Sequence, residues 1–369
     1  MTKEKEGIAL ILAIVFMLAL TILLSAILLL STQEINATQL YLDGNKALYY
    51  AEAGVEYAQA RILNGDSVDV IVRDVFSHFG NNIIKSFYID TLGNLYKFTC
   101  EAQYNRTKRK VVKQIELLYP GLWDKVMASE GNIAVNVNQA QGGRLVIEGN
   151  IHSNGNITAN DPITINGKVS VAKGGSISNN INATEKITDA PRLSFPMIDF
   201  DEYRAKSSYI FYSETDFVNA LKNGSIVKNS SVTTFVYIDG DLHLRNLEGL
   251  DISGLCITVN GDIHVNNTRD MTIDGGSKLV TLISKNLKYN NDAKITFKNC
   301  IIYTEQNVNF TNMKGDVSIE EGAIYAKTGY IGLNNIKKEF RIIGGNFSYS
   351  KVAHLFDVYE VRLWSDSGV

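Results

Sequence analysis

An uninterrupted apolar segment near the N-terminus, from Gly7 to Leu30, constrains the chain more than any other stretch. The segment has 24 residues with no charge and no proline, and Thr21 and Ser25 are its only polar side chains. As a helix it would span about 36 Å, against about 30 Å for the hydrocarbon core of a bilayer. Because backbone polar groups in lipid must be paired within the segment, we expect a transmembrane helix.

The flanking charges predict how this helix is oriented. Lys3 and Lys5 precede it, which favours a cytoplasmic N-terminus. The alternative is a cleaved secretory signal, whose apolar region usually runs about 7–15 residues. Leucines continue here beyond Ser25 and Ala26. The sequence therefore favours a single-pass membrane protein whose remaining chain lies outside the cytoplasm.

Helical periodicity continues beyond the apolar segment. Apolar residues recur at intervals of 3, 4, 3 and 4 at Leu48, Ala51, Val55, Ala58 and Ile62, which places them on one helix face. This predicts a single helix over residues 8–63, ended by the turn Asn64-Gly65-Asp66. Gly44 and Gly54 should weaken this helix, each by about 1 kcal/mol relative to alanine.

The first 63 residues resemble a type IV pilin precursor. Met1–Gly7 followed by Ile8 is similar to a short charged prepilin leader ending in glycine, and residues 47–62, ALYYAEAGVEYAQARI, resemble the A-E-A-G-x-E stretch of PilX-type pilus-assembly proteins. The resemblance implies cleavage between Gly7 and Ile8 by a prepilin peptidase, and methylation at Ile8. It also implies that the helix contacts the cytoplasmic membrane and other pilins or pilus-assembly proteins, and that the rest of the chain lies at the cell surface or in a pilus.

Two features depart from the usual pilin pattern. Leu12 occupies the position where many pilins carry a glutamate, as in some minor pilins that prime or cap a filament. The leader also contains Glu4 and Glu6 beside its lysines, so it is less basic than most leaders.

Residues 64–120 are predicted to form a small α/β connector. Residues 68–79 fit a short amphipathic helix. Apolar residues then alternate with polar ones from Tyr96 to Tyr104 and again from Val111 to Tyr119, with a polar turn between the runs, which indicates two antiparallel strands. Pro120-Gly121 ends this segment.

Residues 121–369 have the pattern of a parallel β-helix. One series of short strands consists of GDLHL, GDIHV, KNLKY, QNVNF and GYIGL, beginning at residues 240, 261, 285, 306 and 329. A second series begins at residues 235, 256, 280, 301 and 324, and a third at 250, 271, 294, 317 and 340. Three strands in each repeat of about 22 residues predict three parallel sheets around one core. Ile263, Leu287 and Val308 should point into that core.

One insertion interrupts this pattern. Residues 149–157 and 163–171 are earlier and less regular repeats, and the insertion follows them at about 190–230. Within the insertion Ser213–Leu221 fits a short helix capped by Ser213 or Thr215, which can cover an edge or a side of the β-helix. Residues 358–364, VYEVRLW, fit a last edge strand.

Composition excludes some classes of protein. The formal net charge is −3 and the pI about 6.0, without the basic face of a nucleic-acid-binding protein. Cys100, Cys256 and Cys300 lack the spacing of a zinc site, so buried free thiols are expected. Tyr49, Tyr50 and Tyr57 fit either an interface or packing under the globular part.

Acidic residues and histidines recur in the β region and allow two interpretations. Asp239, Asp241, Asp262, Asp270 and Asp274 could form a calcium cluster or an acid/base pair, but aspartate also favours the turns between short strands. His152, His243 and His264 each follow a G-[ND]-[IL] step, and the last two are 21 residues apart, which predicts stacking on adjacent repeats. A metal ladder or a solvated ladder would both fit.

Taken together, the sequence predicts a mainly β protein. It should comprise a leader (1–7), a transmembrane and extended helix (8–63), a pilin-like α/β connector (64–120) and a right-handed parallel β-helix domain (121–369). We expect a minor pilin or pilus-assembly protein without enzymatic activity or cofactor, whose β-helix can bind a surface glycan or protein and does not bind nucleic acid. The alternatives are a surface-tethered polysaccharide lyase or hydrolase, and a plain single-pass surface protein.

Overall fold

The protein, represented by a computed structural model, folds into two compact units. The structure describes residues 2–228, 233–266, 269–276, 278–290, 293–344, 347–353 and 355–368, with side chains from Leu12 to Asp366. Unit 1 comprises Met1–Glu116 and Val361–Val369, and unit 2 comprises Leu117–Glu360. Unit 2 is therefore inserted in the chain between two segments of unit 1.

Unit 1 contains two helices and a four-stranded sheet. Its elements are α1 (Thr2–Leu63), α2 (Val68–Phe79), β1 (Ile84–Leu92), β2 (Leu95–Tyr104), β3 (Thr107–Leu117) and β24 (Tyr359–Gly368), with strand order β1-β2-β3-β24. Strands β1–β2 and β2–β3 pair antiparallel. The predicted end of the long helix, the helix over residues 68–79 and the strand pair around residue 105 are confirmed, whereas β1 was not predicted.

The second half of α1 packs closely on this sheet. Ala51, Val55, Ala58 and Ile62 of the predicted apolar stripe are buried, whereas Leu48 is only half-buried. Gly54 lies opposite Cys100 of β2, so a Cβ atom at position 54 would come within 3.0 Å of the Cys100 Sγ. The glycine that weakens the isolated helix thus permits the close approach of helix and strand.

The C-terminal strand belongs to unit 1, which differs from the predicted domain division. Arg362 of β24 pairs with Glu116 at 2.7 Å. The buried Lys113 lies 5.2 Å from the centre of the Trp364 ring, and its Nζ is 2.6 Å from Glu56 of α1. The predicted edge strand therefore exists, but it extends the sheet of β1–β3 rather than the β domain.

Unit 2 consists mainly of short strands. In chain order these are β4 (Lys125–Ser129), β5 (Ile133–Val137), β6 (Arg144–Glu148), β7 (Asn150–Ser153), β8 (Ile157–Ala159), β9 (Ile163–Ala172), β10 (Ile181–Ala190), β11 (Tyr209–Phe211), β12 (Thr234–Ile238), β13 (Leu242–His243), β14 (Leu255–Val265), β15 (Met271–Asp274), β16 (Val280–Asn290), β17 (Ile295–Lys298), β18 (Cys300–Thr304), β19 (Val308–Thr311), β20 (Val317–Glu320), β21 (Ala323–Ala326), β22 (Ile331–Ile336) and β23 (Glu339–Ile343). Short helices α3 (Phe200–Lys206), α4 (Glu214–Lys222) and α5 (Tyr349–Val352) accompany them.

These strands form a large parallel sheet in which three rows can be followed. Row A runs through β11, β12, the first half of β14, the first half of β16, β18, β21, β4, β7 and the second half of β9. Row B runs through β13, the second halves of β14 and β16, β19, β22, β5 and β8. Row C runs through β15, β17, β20, β23, β6 and the first half of β9.

The predicted inward positions of row B are confirmed. Leu242, Ile263, Leu287, Val308 and Ile331 are register partners at steps of 21, 24, 21 and 23 residues. All five are buried in one hydrophobic cluster.

The other two predicted series need a correction of one residue. In row A Cys256 pairs with Thr281 and Ile301 pairs with Ala323, so the strands predicted to begin at 280 and 324 are each off by one. In row C Met271 pairs with Ile295, so the strand predicted to begin at 294 is off by one, and the strand predicted to begin at 250 is not formed. Such a slip exchanges the two faces of a strand. The row A strands β18 and β21 are buried on both faces, so polarity could not report their register.

The rows do not follow the chain order from one end to the other. Strands β21, β22 and β23 pair with β4, β5 and β6, so the last repeat of the chain joins the first. The chain enters in the middle of the rows, proceeds to β10 at one end, and resumes with β11 at the other end. The entry and exit are held together by the bond from Leu118 N–H to the Val358 carbonyl, at 2.8 Å.

The predicted insertion connects the two ends and covers row A. Near its start, Leu193 N–H donates a hydrogen bond to the Asn154 side chain. Further along, the Tyr303 hydroxyl donates to the Pro196 carbonyl at 2.7 Å, and the Arg204 guanidinium lies over the Tyr237 ring. A second buried cluster, with Trp123, Phe195, Tyr303, Tyr325 and Phe356 among its members, fills the space between row A and this cover.

The two ends of the rows are finished differently. At one end α4, capped by Ser213 as predicted, buries Phe217 and Val218 against the core. At the other end Lys186 of β10 pairs in register with the inward-facing Val169. An inward-pointing charge on a terminal strand opposes the addition of another strand.

The junction between the two chain halves can be tested in β23. We expect Ile342→Asp to destabilise unit 2 by several kcal/mol, because Ile342 is fully buried and the carboxylate would be unpaired. Arg341→Asp is the matched control on the exposed side of the same strand, with an expected cost of about 0.5 kcal/mol or less. Labelling of the buried Cys256 and Cys300 during denaturant unfolding reports on unit 2. Equal losses would mean that the two faces are misassigned.

The helix–sheet contact in unit 1 gives a second prediction. Gly54→Leu should destabilise unit 1 by about 1–3 kcal/mol, because the new side chain overpacks the contact with Cys100. Gly44→Ala is the control, since its Cβ would meet ordinary contacts at 3.4 Å or more, and it should stabilise α1 by about 0.5–1 kcal/mol. Labelling of Cys100, located by mass spectrometry, measures both effects. A destabilisation by Gly44→Ala as large as that by Gly54→Leu would contradict this account.

Candidate functional site

The first half of α1 is an exposed apolar surface. Large apolar side chains from Leu12 to Leu30 are all at least 45% exposed within the structure. In the part of the chain that the structure describes, α1 alone is long and apolar enough to cross a membrane. This segment therefore fits a single-pass membrane protein.

The polar side chains of this segment are satisfied within the helix. The Thr21 hydroxyl donates to the Met17 carbonyl and the Ser25 hydroxyl to the Thr21 carbonyl, both at 2.8 Å. The Thr32 hydroxyl makes the same bond to Leu28. No polar group of these side chains needs water, which suits a helix surrounded by lipid.

The predicted processing site lies at the start of α1. Gly7 and Ile8 are helical in backbone, and their side chains lie outside the described ones. Leu12, at the position of the usual pilin glutamate, is 66% exposed. Cleavage between Gly7 and Ile8 and methylation at Ile8 stay predictions.

A polar ladder, here defined as Asp241, Asp262, Asn286 and Asn307, follows the corner between rows A and B. The Asp241 carboxylate accepts a bond from Asp262 N–H at 2.8 Å, and the Asn286 side chain accepts one from Asn307 N–H at 3.1 Å. The Asn307 side chain accepts the next, from Tyr330 N–H. At this corner a side-chain oxygen thus satisfies the backbone of the following repeat.

Two histidines stack beside the ladder, as predicted. The rings of His243 and His264 lie 4.8 Å apart and nearly parallel. The His264 Nε2 is 3.4 Å from Asp241 Oδ2, and the His243 Nδ1 is 3.1 Å from Glu214 Oε2. Glu214 also accepts the His243 backbone N–H at 2.6 Å, so α4 closes the free edge of β13.

Asp262 is the most strongly paired carboxylate of this group. Asn286 donates to its Oδ1 at 2.8 Å, and Lys288 forms an ion pair with its Oδ2. Burial raises the pKa of Asp262, but the bonds from Lys288 and Asn286 together outweigh burial, so the pKa is lowered. Among the described residues, Asp241, Asp262 and His264 have potential metal-ligating atoms within 4.8 Å of one another.

The remaining predicted acidic residues serve separate turns. Asp239 accepts from the Asn260 side chain at 3.3 Å, and Asp270 accepts from Lys294 N–H at 2.9 Å. Asp274 accepts from Gly276 N–H at 2.8 Å. The group of potential metal ligands contains Asp241 and Asp262 but not the other three predicted aspartates.

His152 does not belong with the other two histidines. It lies in β7 of row A and is buried, between Ser170 at 2.9 Å and Asn154 at 3.0 Å. Burial lowers the pKa of His152. His152 follows the same G-[ND]-[IL] step as the other two histidines, but here Asn150 and Ile151 begin a row A strand.

Sequence reasoning missed Glu214 and Lys288. Glu214 begins a helix of the insertion, and only the tertiary structure brings it to His243, 29 residues later. The sequence could have indicated Lys288, because it directly follows the inward Leu287 and must therefore point outward. Its register partner is the outward His264.

The structure shows the surroundings of the three cysteines and of the three helix tyrosines. Cys100, Cys256 and Cys300 are buried and free, as expected, and burial raises the pKa of each thiol. Tyr50 stacks on Tyr104 and Tyr57 on His78, both within unit 1, whereas Tyr49 is 67% exposed.

Comparisons with known proteins include two solved structures with distant likeness. No protein-family model and no curated protein matches the sequence. The competence-associated pilin ComZ from Thermus thermophilus aligns with a TM-score of 0.26 and 9% identity, over 77% of this chain and 83% of that chain. An ice binding protein from an Antarctic Biological Consortium aligns with a TM-score of 0.23 and 14% identity, over 61% of this chain and 90% of that chain. At these TM-scores neither likeness establishes a shared fold.

The cap at β13 can be tested through Glu214. We expect Glu214→Ala to destabilise unit 2 by about 1–3 kcal/mol, because the His243 N–H and ring and the Asn246 amide all lose their acceptor. Hydrogen exchange at the His243 amide should become faster. Glu202→Ala, which removes only an exposed ion pair with Lys206, is the control and should have little effect. Unchanged exchange at His243 would show that Glu214 does not cap this edge.

Proposed function

We propose that this protein is a membrane-anchored minor pilin or pilus-assembly protein with a right-handed parallel β-helix head. The exposed apolar half of α1 carries the proposal, because its surface needs lipid or other apolar helices, while its second half is fastened to a sheet. The leader and the A-E-A-G-x-E stretch of PilX-type proteins lie at the two ends of this same helix.

The pairing pattern supports the β-helix. Along the chain β18, β19 and β20 visit rows A, B and C, and β21, β22 and β23 visit the same rows in the same order. A chain that returns to the same three rows after 21–24 residues, always in parallel, is what a three-sided coil requires. We assign one coil to each such return.

The head would be displayed outside the cytoplasmic membrane, for filament assembly or surface adhesion. Lys3 and Lys5 favour the cytoplasmic N-terminus that this placement needs. Unit 2 enters and leaves at one point, since Leu118 bonds Val358, so it can be carried as an insertion in a pilin-like unit. A surface glycan or protein is the class of ligand that we propose for it.

We further propose that the head has no glycan-cleaving activity. The carboxylates that could serve as an acid/base pair are engaged, Asp241 by a backbone N–H and Asp262 by Lys288. If purified protein depolymerises pectin, alginate or hyaluronan, and Asp241→Ala abolishes this, the polysaccharide lyase or hydrolase is the correct alternative.

The N-terminus of the mature protein tests the pilin assignment. In cells with a prepilin peptidase, we expect mass spectrometry of the membrane fraction to show a methylated Ile8 as first residue. Gly7→Trp should retain Met1, because a residue without Cβ lets the protease approach the backbone closely. Thr2→Trp adds the same side chain within the leader and should still be cleaved. An intact Met1 in the mature wild-type protein, or equal cleavage of Gly7→Trp, would favour a plain single-pass surface protein.

A further inference from the structure

The polar ladder carries more negative charge than its structural role requires. Asp262 and Asn286 are register partners, and the row of corner residues reads Asp241, Asp262, Asn286, Asn307. Asn286 and Asn307 make the same bond to the next backbone N–H that Asp241 makes. An amide therefore suffices at this corner, and the two carboxylates stand at the two positions nearest to His264.

The three side chains converge on one point. The potential ligand atoms of Asp241, Asp262 and His264 all lie within 4.8 Å of one another, and the His264 Nε2 is 3.4 Å from Asp241 Oδ2. Ligand atoms around a tetrahedral zinc ion lie about 3.3 Å apart, so small side-chain rotations would complete the set. The stacked His243, held by Glu214, restrains the His264 ring in this direction.

Open space adjoins this group. A cavity of about 390 Å³ is lined by His264, Asn266 and Lys288 among others, so it touches the group through His264. The Asn266 Oδ1 is buried and has no hydrogen-bond partner among the described residues.

We propose that Asp241, Asp262 and His264 form a binding site for one divalent transition-metal ion of the zinc type. One imidazole and two carboxylates match the nitrogen and oxygen ligands of zinc and leave a fourth position for water, which can reach the half-exposed Asp241. The imidazole favours zinc and its neighbours over magnesium or calcium, which prefer all-oxygen sites. This site stands on the ladder geometry alone and does not depend on the pilin assignment.

Lys288 is the internal competitor for this site. Its ammonium group pairs with Asp262 Oδ2, so a metal ion must displace it from that oxygen. Both cations neutralise the same carboxylate, and removal of the ammonium group should therefore favour the metal. A substitution of Lys288 should therefore strengthen metal binding, whereas substitutions of the three ligands should weaken it.

Zinc titration of the full-length, untagged protein in detergent, after treatment with a chelator, tests the site. Calorimetry should show one equivalent of Zn²⁺ bound by the wild type. Asp241→Asn keeps the acceptor for Asp262 N–H and removes only the charged ligand, so we expect binding at least about tenfold weaker. His264→Gln should weaken binding to a similar extent, and Lys288→Gln should bind more tightly than the wild type.

Asp270→Asn is the matched control for this experiment. Asp270 makes the same type of bond to a backbone N–H, at Lys294, but lies outside the group, so its substitution should leave zinc affinity unchanged. A wild type without saturable zinc binding, or equal affinities of Asp241→Asn and Asp270→Asn, would overturn the proposal. A zinc affinity of Lys288→Gln no higher than that of the wild type would also overturn the proposal. Tighter zinc binding by Lys288→Gln cannot result from a loss of folding.

Discussion

Parallel backbone pairing between successive repeats is the interaction on which the rest of unit 2 depends. Each strand satisfies its N–H and C=O groups on the strands before and after it, and the inward side chains stack as a consequence of that register. The join of β23 to β6 extends the pairing across the two chain halves. Without this join each half would present an unpaired edge in the middle of the core.

The same constraint explains the insertion. Since the chain enters in the middle of the rows, it must return from β10 at one end to β11 at the other. The returning segment covers the aromatic outer face of row A, where Tyr303 bonds Pro196, and then provides α4 as a cap. One connection therefore buries an apolar face and closes an edge, both of which would otherwise favour aggregation.

The two halves of α1 have different surroundings. The second half of α1 is held at close range by the contact between Gly54 and Cys100, while the apolar first half has no protein cover in the described structure. The hydroxyls of Thr21 and Ser25 are already paired with the helix backbone, so lipid or an apolar helix surface can surround this half without leaving polar groups unsatisfied. The A-E-A-G-x-E stretch, residues 51–56, supplies both Gly54 and the Glu56 partner of Lys113.

The sequence by itself determined the elements whose signals are local or periodic. The long helix to Leu63, the helix over residues 68–79, the Ser213 cap and the row B register from Leu242 to Ile331 follow from apolar period, caps and turns. Only the tertiary structure decided the register of row A, because strands such as β18 and β21 are buried on both faces and have no alternation to read. The tertiary structure also decided that β23 pairs with β6, that β24 lies in the sheet of unit 1, and that Glu214 contacts His243. These contacts link residues far apart in the chain, and their partners are chosen by packing, which no local pattern encodes.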